Sequence, residues 1–111
     1  MILKIYKGKK KLSIQNVKEC SELEKVIGLM FTSVSQAKPL LFKFKKPTNL
    51  AIHSYFVFFP FTAIWLDSKN KVQEIQIIQP FTLRIRPKKP FFNLLELPNT
   101  KKYRRIIEKL S

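Results

Sequence analysis

Residues 53–66 read HSYFVFFPFTAIWL. The stretch has no charged side chain, holds the only His, the only Trp and four of the ten Phe, and sits in a chain of formal net charge +15. A run of this kind fits a membrane span, the wall of a ligand cavity, or buried strands. From Pro47 to Leu66 there are 20 uncharged residues, the length a transmembrane helix needs. The run opens on Pro47–Thr48–Asn49 and carries Pro60 within its apolar part. Its Phe, Tyr, Val, Ile, Thr and Trp suit a pleated sheet better than a helix. No membrane span is expected. The reading is two central strands, 50–59 and 61–67, parted at Pro60, which cannot donate to a ladder. Strands without alternation are buried on both faces.

The flanks extend this pattern. Residues 2–6 and 12–17 read as a hairpin turned at Gly8, with Leu12 and Ile14 alternating against Ser13 and Gln15. Ser21 and Glu24 form an S-x-x-E capping box, and Gly28 suits a C-terminal cap, which predicts a short helix over 21–28. Residues 39–44, 72–78, 81–87 and 91–97 read as further strands, the third kept short by Pro80, Pro87 and Pro90. Asp67 to Lys71 is a turn. Tyr103, Ile106, Ile107 and Leu110 form one helical stripe, which Asn99 or Thr100 can cap. The expected fold is mainly β (a β-rich α+β chain): a small β-sandwich or partly closed β-barrel with one short helix in the N-terminal half and a C-terminal amphipathic helix.

At 111 residues the chain is read as one domain, 1–111, with 99–111 as its basic C-terminal helix. Lys and Arg number 22 against 7 Asp and Glu. That balance points either to an anionic partner or to a lysine-biased composition with a solvated basic surface. The lone Cys20 excludes an intrachain disulfide, and with no signal-peptide pattern a cytoplasmic location is expected.

The segments GLMF (28–31), LLFKF (40–44), IHSYFVFFPFTAIWLD (52–67), VQEIQIIQPF (72–81) and LLELP (94–98) follow one another in an order and spacing that resemble the family called domain of unknown function 192, in its archaeal-type branch. The resemblance covers about 14–98. It implies a compact β-rich fold and no established activity. The matching positions are Gly28, Leu29, Met30, Phe31, His53, Pro60, Asp67 and Glu96. Thr62 stands where the family usually has Asp, and Ser54 where Met is common. A basic helix replaces the family's closing strand.

For chemistry, His53 is the one group that titrates near neutral pH without help. With Met30, Phe58, Thr62 and Glu96 it is read as lining an apolar ligand pocket; the plain alternative is a packed core. Basic clusters lie at Lys7–Lys11, Lys43–Lys46, Arg84–Lys89 and Lys101–Arg105. Arg84, Arg86, Lys88, Lys89, Arg104 and Arg105 are candidates for binding RNA or DNA, with Phe91, Phe92 and Tyr103 as stacking aromatics. One Cys and one His cannot close a zinc site, two glycines leave no phosphate loop, and no cofactor or metal is expected. Catalysis would need Cys20 paired with His53, or Asp67 and Glu96 brought together; neither spacing requires it, so a non-catalytic binding or accessory domain is the leading reading. A nucleic-acid-binding domain is the alternative. The partner is left open between a small ligand and nucleic acid, and the chain is read as a monomer or weak dimer.

Overall fold

The computed structural model describes residues 1–20, 37–52, 57–82 and 84–110. The helix expected over 21–28 lies outside them.

Strands β1 (Leu3–Lys7) and β2 (Lys10–Ile14) pair antiparallel as a separate hairpin, Leu3 opposite Ile14 and Lys7 opposite Lys10. Gly8 opens its two-residue loop at φ +59°, a conformation that glycine adopts without a Cβ penalty. Beyond β2, Asn16 turns at φ +59°, and Met1 and Val17 exchange two main-chain bonds of 2.9 Å.

The main sheet has the order β3-β4-β7-β5-β6. Its strands are β3 (Lys18–Glu19), β4 (Leu40–Thr48), β5 (Phe61–Leu66), β6 (Val72–Ile78) and β7 (Phe91–Pro98). Only the β3–β4 pair is parallel. The two central strands, β7 and β5, are the least alternating in sequence, and every residue of β5 is buried. Pro47 is accommodated in β4 because the register jumps from Lys43–Asn93 to Thr48–Phe91, a bulge that frees its nitrogen from the ladder. The sheet does not close on itself. Of the two architectures expected, the structure is therefore the sandwich-like one, β-rich with a C-terminal helix.

Each face of the sheet has its own cover. On one, Leu41, Ile64, Leu66, Leu95 and Leu97 pack against Leu3, Ile5, Leu12 and Ile14 of the hairpin and Leu110 of α1 (Lys101–Leu110). We call this the hairpin face. The stripe Tyr103, Ile106, Ile107, Leu110 turns inward as its spacing predicts, with Tyr103 and Leu110 fully buried. Lys7 Nζ donates to the Leu110 carbonyl, and Lys10 Nζ to that of Lys109 at 3.4 Å, so the hairpin meets the electronegative end of the helix with two cations. On the other, Leu40, Phe42, Phe61, Ala63, Trp65 and Leu94 are covered by irregular segments carrying Cys20, Ala37, Val57, Phe59 and Ile85. This is the loop face.

Two expectations fail. The described residues of 50–59 and of 81–87 are not strands; one bridge, Ile52 to Ile85 with main-chain bonds of 2.9 and 2.8 Å, is all they form. Phe81 and Arg84 take φ +60° and +50°, which breaks any ladder there. Thus the edges of the main sheet are β3 and β6, and 81–86 is not an edge strand. Glu74 and Gln76 of β6 hold the 86–88 segment beside it, through Lys88 N to Glu74 Oε1 at 2.8 Å and Gln76 Nε2 to the Arg86 carbonyl at 3.4 Å. No helix among the described residues is long and apolar enough to cross a membrane.

Candidate functional site

Glu96 sits in β7 at the centre of the sheet, opposite Leu40 of β4 on one side and Ala63 of β5 on the other. Both partners belong to the loop face, so the carboxyl shares that face with Leu94 and Phe61. It is buried, and no hydrogen bond or ion pair from a described residue reaches it. Burial strips water from the charged form and lifts its pKa from 4.5 to about 8. At neutral pH the group is a carboxylic acid with one O–H to donate and a carbonyl to accept.

Trp65 lies on the same face, opposite Leu94. It is therefore the diagonal neighbour of Glu96, a Cα spacing of about 7–8 Å, within reach of long side chains. Its ring meets Phe91 edge-on at 6.5 Å, while its Nε1–H is buried without a partner. Such orphan donors are rare in a folded core and call for an explanation.

The remaining residues of the expected pocket do not gather here. His53 and Met30 lie outside the described residues. Thr62 precedes Ala63, so its side chain points to the hairpin face; it is fully buried and donates to Asn99 Oδ1 at 2.6 Å. That bond engages Asn99, one of the two expected helix caps. Phe58 is 62% exposed and leans edge-on against Phe81, 50% exposed, with centroids 5.5 Å apart.

Asp67 and Glu96 do not meet. Asp67 lies four positions past Ala63, roughly 13 Å along the chain, and its Oδ1 accepts the amides of Lys69 and Lys71 at 2.8 and 2.9 Å. It shapes the β5–β6 turn, in which Asn70 takes φ +62°. Cys20 is a buried thiol of the loop-face core. Among the described residues no three His, Cys, Asp or Glu side chains come together as a metal site.

The basic clusters do not share one face. Lys7–Lys11 and the helix with Arg104 and Arg105 belong to the hairpin side, where two of the lysines serve the helix end. Arg84–Lys89 lies on the loop side, its 86–88 segment held by Glu74 and Gln76, whose partners Trp65 and Ala63 face that way, whereas Lys43, opposite Asn93, shares its face with Leu41 and Leu95. Hence Arg84, Arg86, Lys88 and Lys89 do not share a face with Arg104 and Arg105. Of the expected stacking aromatics, Phe91 and Tyr103 are buried and Phe92 is half-buried. Among the described residues the exposed rings are Phe58 and Phe81.

A groove of about 580 Å³ also opens on the hairpin side between β6 and α1, floored by Ile75, Ile77 and Ile107. Sequence reasoning had no signal for it, nor for Trp65 as an orphan donor. For Glu96 the signal was present: an acid inside a strand buried on both faces has nowhere else to go.

Two solved structures share this fold. One is a protein of unknown function from Novosphingobium aromaticivorans, 16% identical, TM-score 0.74, covering 95% of this chain and 76% of that one. The other, from Sinorhizobium meliloti, is described as a candidate transcription regulator; it is 16% identical with TM-score 0.75, covering 95% of this chain and 83% of that one. No curated protein matches. Residues 5–108 match the model of the family described as DUF192, an uncharacterised ACR, running past both ends of the motifs at 28–98. With that match spanning both the hairpin and the C-terminal helix, the chain belongs to the DUF192 family.

Proposed function

We infer that this chain is a non-catalytic binding domain whose loop face takes a small, uncharged, mainly apolar ligand with one hydrogen-bonding head. The observation that carries this reading is the meeting on that face of a buried, neutral Glu96 carboxyl and a Trp65 Nε1–H that has no partner. A buried N–H without a bond costs about 1–3 kcal/mol, and a ligand oxygen accepting from the Trp65 N–H, with the Glu96 O–H beside it, recovers it. An anionic head would meet repulsion as the carboxyl ionises, and a cationic one would draw the proton off; a carbonyl or amide suits both groups. His53, whose segment leads into Val57 and Phe59 of the same cover, is the added polar contact we assign to this site. The buried Cys20 is consistent with a reducing, cytoplasmic setting.

Nile red, a neutral apolar dye with a carbonyl acceptor, tests the reading by fluorescence titration. Saturable binding is expected, kept within about threefold by Glu96→Gln and weakened at least tenfold by Glu96→Leu. Binding is also expected to weaken as pH rises through about 8, where Glu96 ionises. Non-saturable binding, or binding indifferent to Glu96→Leu, would remove it.

A further inference from the structure

We propose that the surface formed by Phe58, Phe81 and the 84–89 loop binds single-stranded nucleic acid, stacking bases on the two rings and holding phosphates with Arg84, Arg86, Lys88 and Lys89. The rings are the first ground. Phe58 and Phe81 are 62% and 50% exposed and contact each other edge-on at 71°, although a phenyl ring gains most by burial. Stacking on an exposed aromatic face is how sequence-tolerant single-strand binders hold bases.

The second ground is charge. Between Glu74 and Glu96 there is no acidic residue, while Arg84, Arg86, Lys88 and Lys89 are present and all four are exposed. Among the described residues, the acid that touches this loop is Glu74, already engaged by the Lys88 amide and by Gln76 Nε2 at 2.8 and 2.5 Å. Lys43 is paired with Glu19 at 3.1 Å and is not counted.

The third ground is how the loop is held. Thr82 Oγ1 donates to the Gln79 carbonyl at 2.8 Å, Ile85 is pinned to Ile52, and Lys88 N to Glu74. Between these anchors Phe81 and Arg84 both occupy the left-handed region, at φ +60° and +50°. That conformation is costly for side-chain-bearing residues and persists where the surroundings impose it. It re-aims the ring and the guanidinium of one short loop, so stacking and phosphate contacts are prearranged.

The test is fluorescence anisotropy with labelled dT12 and rU12 from about 25 to 200 mM salt. Four phosphate contacts give a slope of log K against log salt of about −3. Arg84→Ala/Arg86→Ala is expected to weaken binding at least tenfold and to flatten the slope by about one. Phe58→Ala/Phe81→Ala is expected to weaken it about tenfold with the slope unchanged, which a purely ionic contact cannot do. Both doubles alter exposed side chains, and circular dichroism melts check that they stay folded. Arg104→Ala/Arg105→Ala, on the far side of the sheet, is expected to change affinity by less than threefold. The proposal is overturned by absent binding at 25 mM salt, by equal losses in the two arginine pairs, or by indifference to the phenylalanines. It is equally overturned if phosphatidylserine vesicles bind with the same phenylalanine dependence and displace the oligonucleotides.

Discussion

The two faces of one five-stranded sheet are built on opposite terms. The hairpin face is closed by regular elements, a β-hairpin and an amphipathic helix; its buried Thr62 hydroxyl is bonded to Asn99, while the Tyr103 hydroxyl that the helix carries in is buried without a partner. The loop face is closed by irregular segments, and it carries a buried, protonated carboxyl and an indole N–H without a partner. Adjacent residues of the same strands supply both: Thr62 and Ala63, Leu95 and Glu96. Among the described residues each face thus holds one orphan polar atom, and the loop face alone holds a buried acid. Function is therefore sought on the loop face.

The largest test of that contrast is Leu95→Ala, which opens a cavity under the hairpin. It is expected to lower the unfolding free energy by about 2–5 kcal/mol, measured by urea denaturation. Phe58→Ala, on the loop side and 62% exposed, should change it by less than about 0.5 kcal/mol. A comparable loss at both positions would break the comparison.

Glu96 gives the next effect. Its folded pKa is raised from 4.5 to about 8, so between those values the folded state holds a proton that the unfolded state has lost. Stability from this group is complete below pH 4.5 and falls by roughly 1.4 kcal/mol per pH unit until about 8. Glu96→Gln, which cannot ionise, is expected to lack that slope and to gain on the parent steadily from pH 5 to 8. Parallel stability curves for the two proteins would mean that the carboxyl has found a partner.

Most of the architecture was legible in the residues. Alternation at Leu12–Gln15 marked the hairpin, an unbroken apolar run marked β5 as central, and i, i+3, i+4, i+7 spacing placed the buried stripe of α1; β7 was read as a strand, and its central place comes from the pairing. The failure at 81–87 is instructive. Thr82, Arg84 and Arg86 alternate with Phe81, Leu83 and Ile85 as in a half-buried strand, yet Phe81 and Arg84 turn to positive φ. No glycine marks those turns, because the conformation is imposed by contacts distant in sequence: Ile52, Glu74 and Gln76. Similarly, no local pattern reveals that Thr62 and Glu96, both expected in one pocket, stand on opposite faces; that depends on the pairing of Ala63 with Glu96.

A smaller effect belongs to the polar pair on the closed face. Thr62→Val keeps the shape and removes the hydroxyl that bonds Asn99 Oδ1 at 2.6 Å. A loss of about 1 kcal/mol is expected in thermal or urea unfolding.

The smallest tests how the helix is joined to the hairpin. Lys7 reaches the Leu110 carbonyl, at the end of a helix whose last turn already contains Lys109. Replacing it by Met keeps the aliphatic stem over Leu110 and removes only the charge and its bond. The loss expected is about 0.5–1 kcal/mol at low ionic strength, shrinking as salt rises, because cation–dipole contacts near the surface are screened. An equal loss in high salt would assign the role of Lys7 to its methylenes. The closed face would then be apolar to its rim, and the contrast with the loop face sharper still.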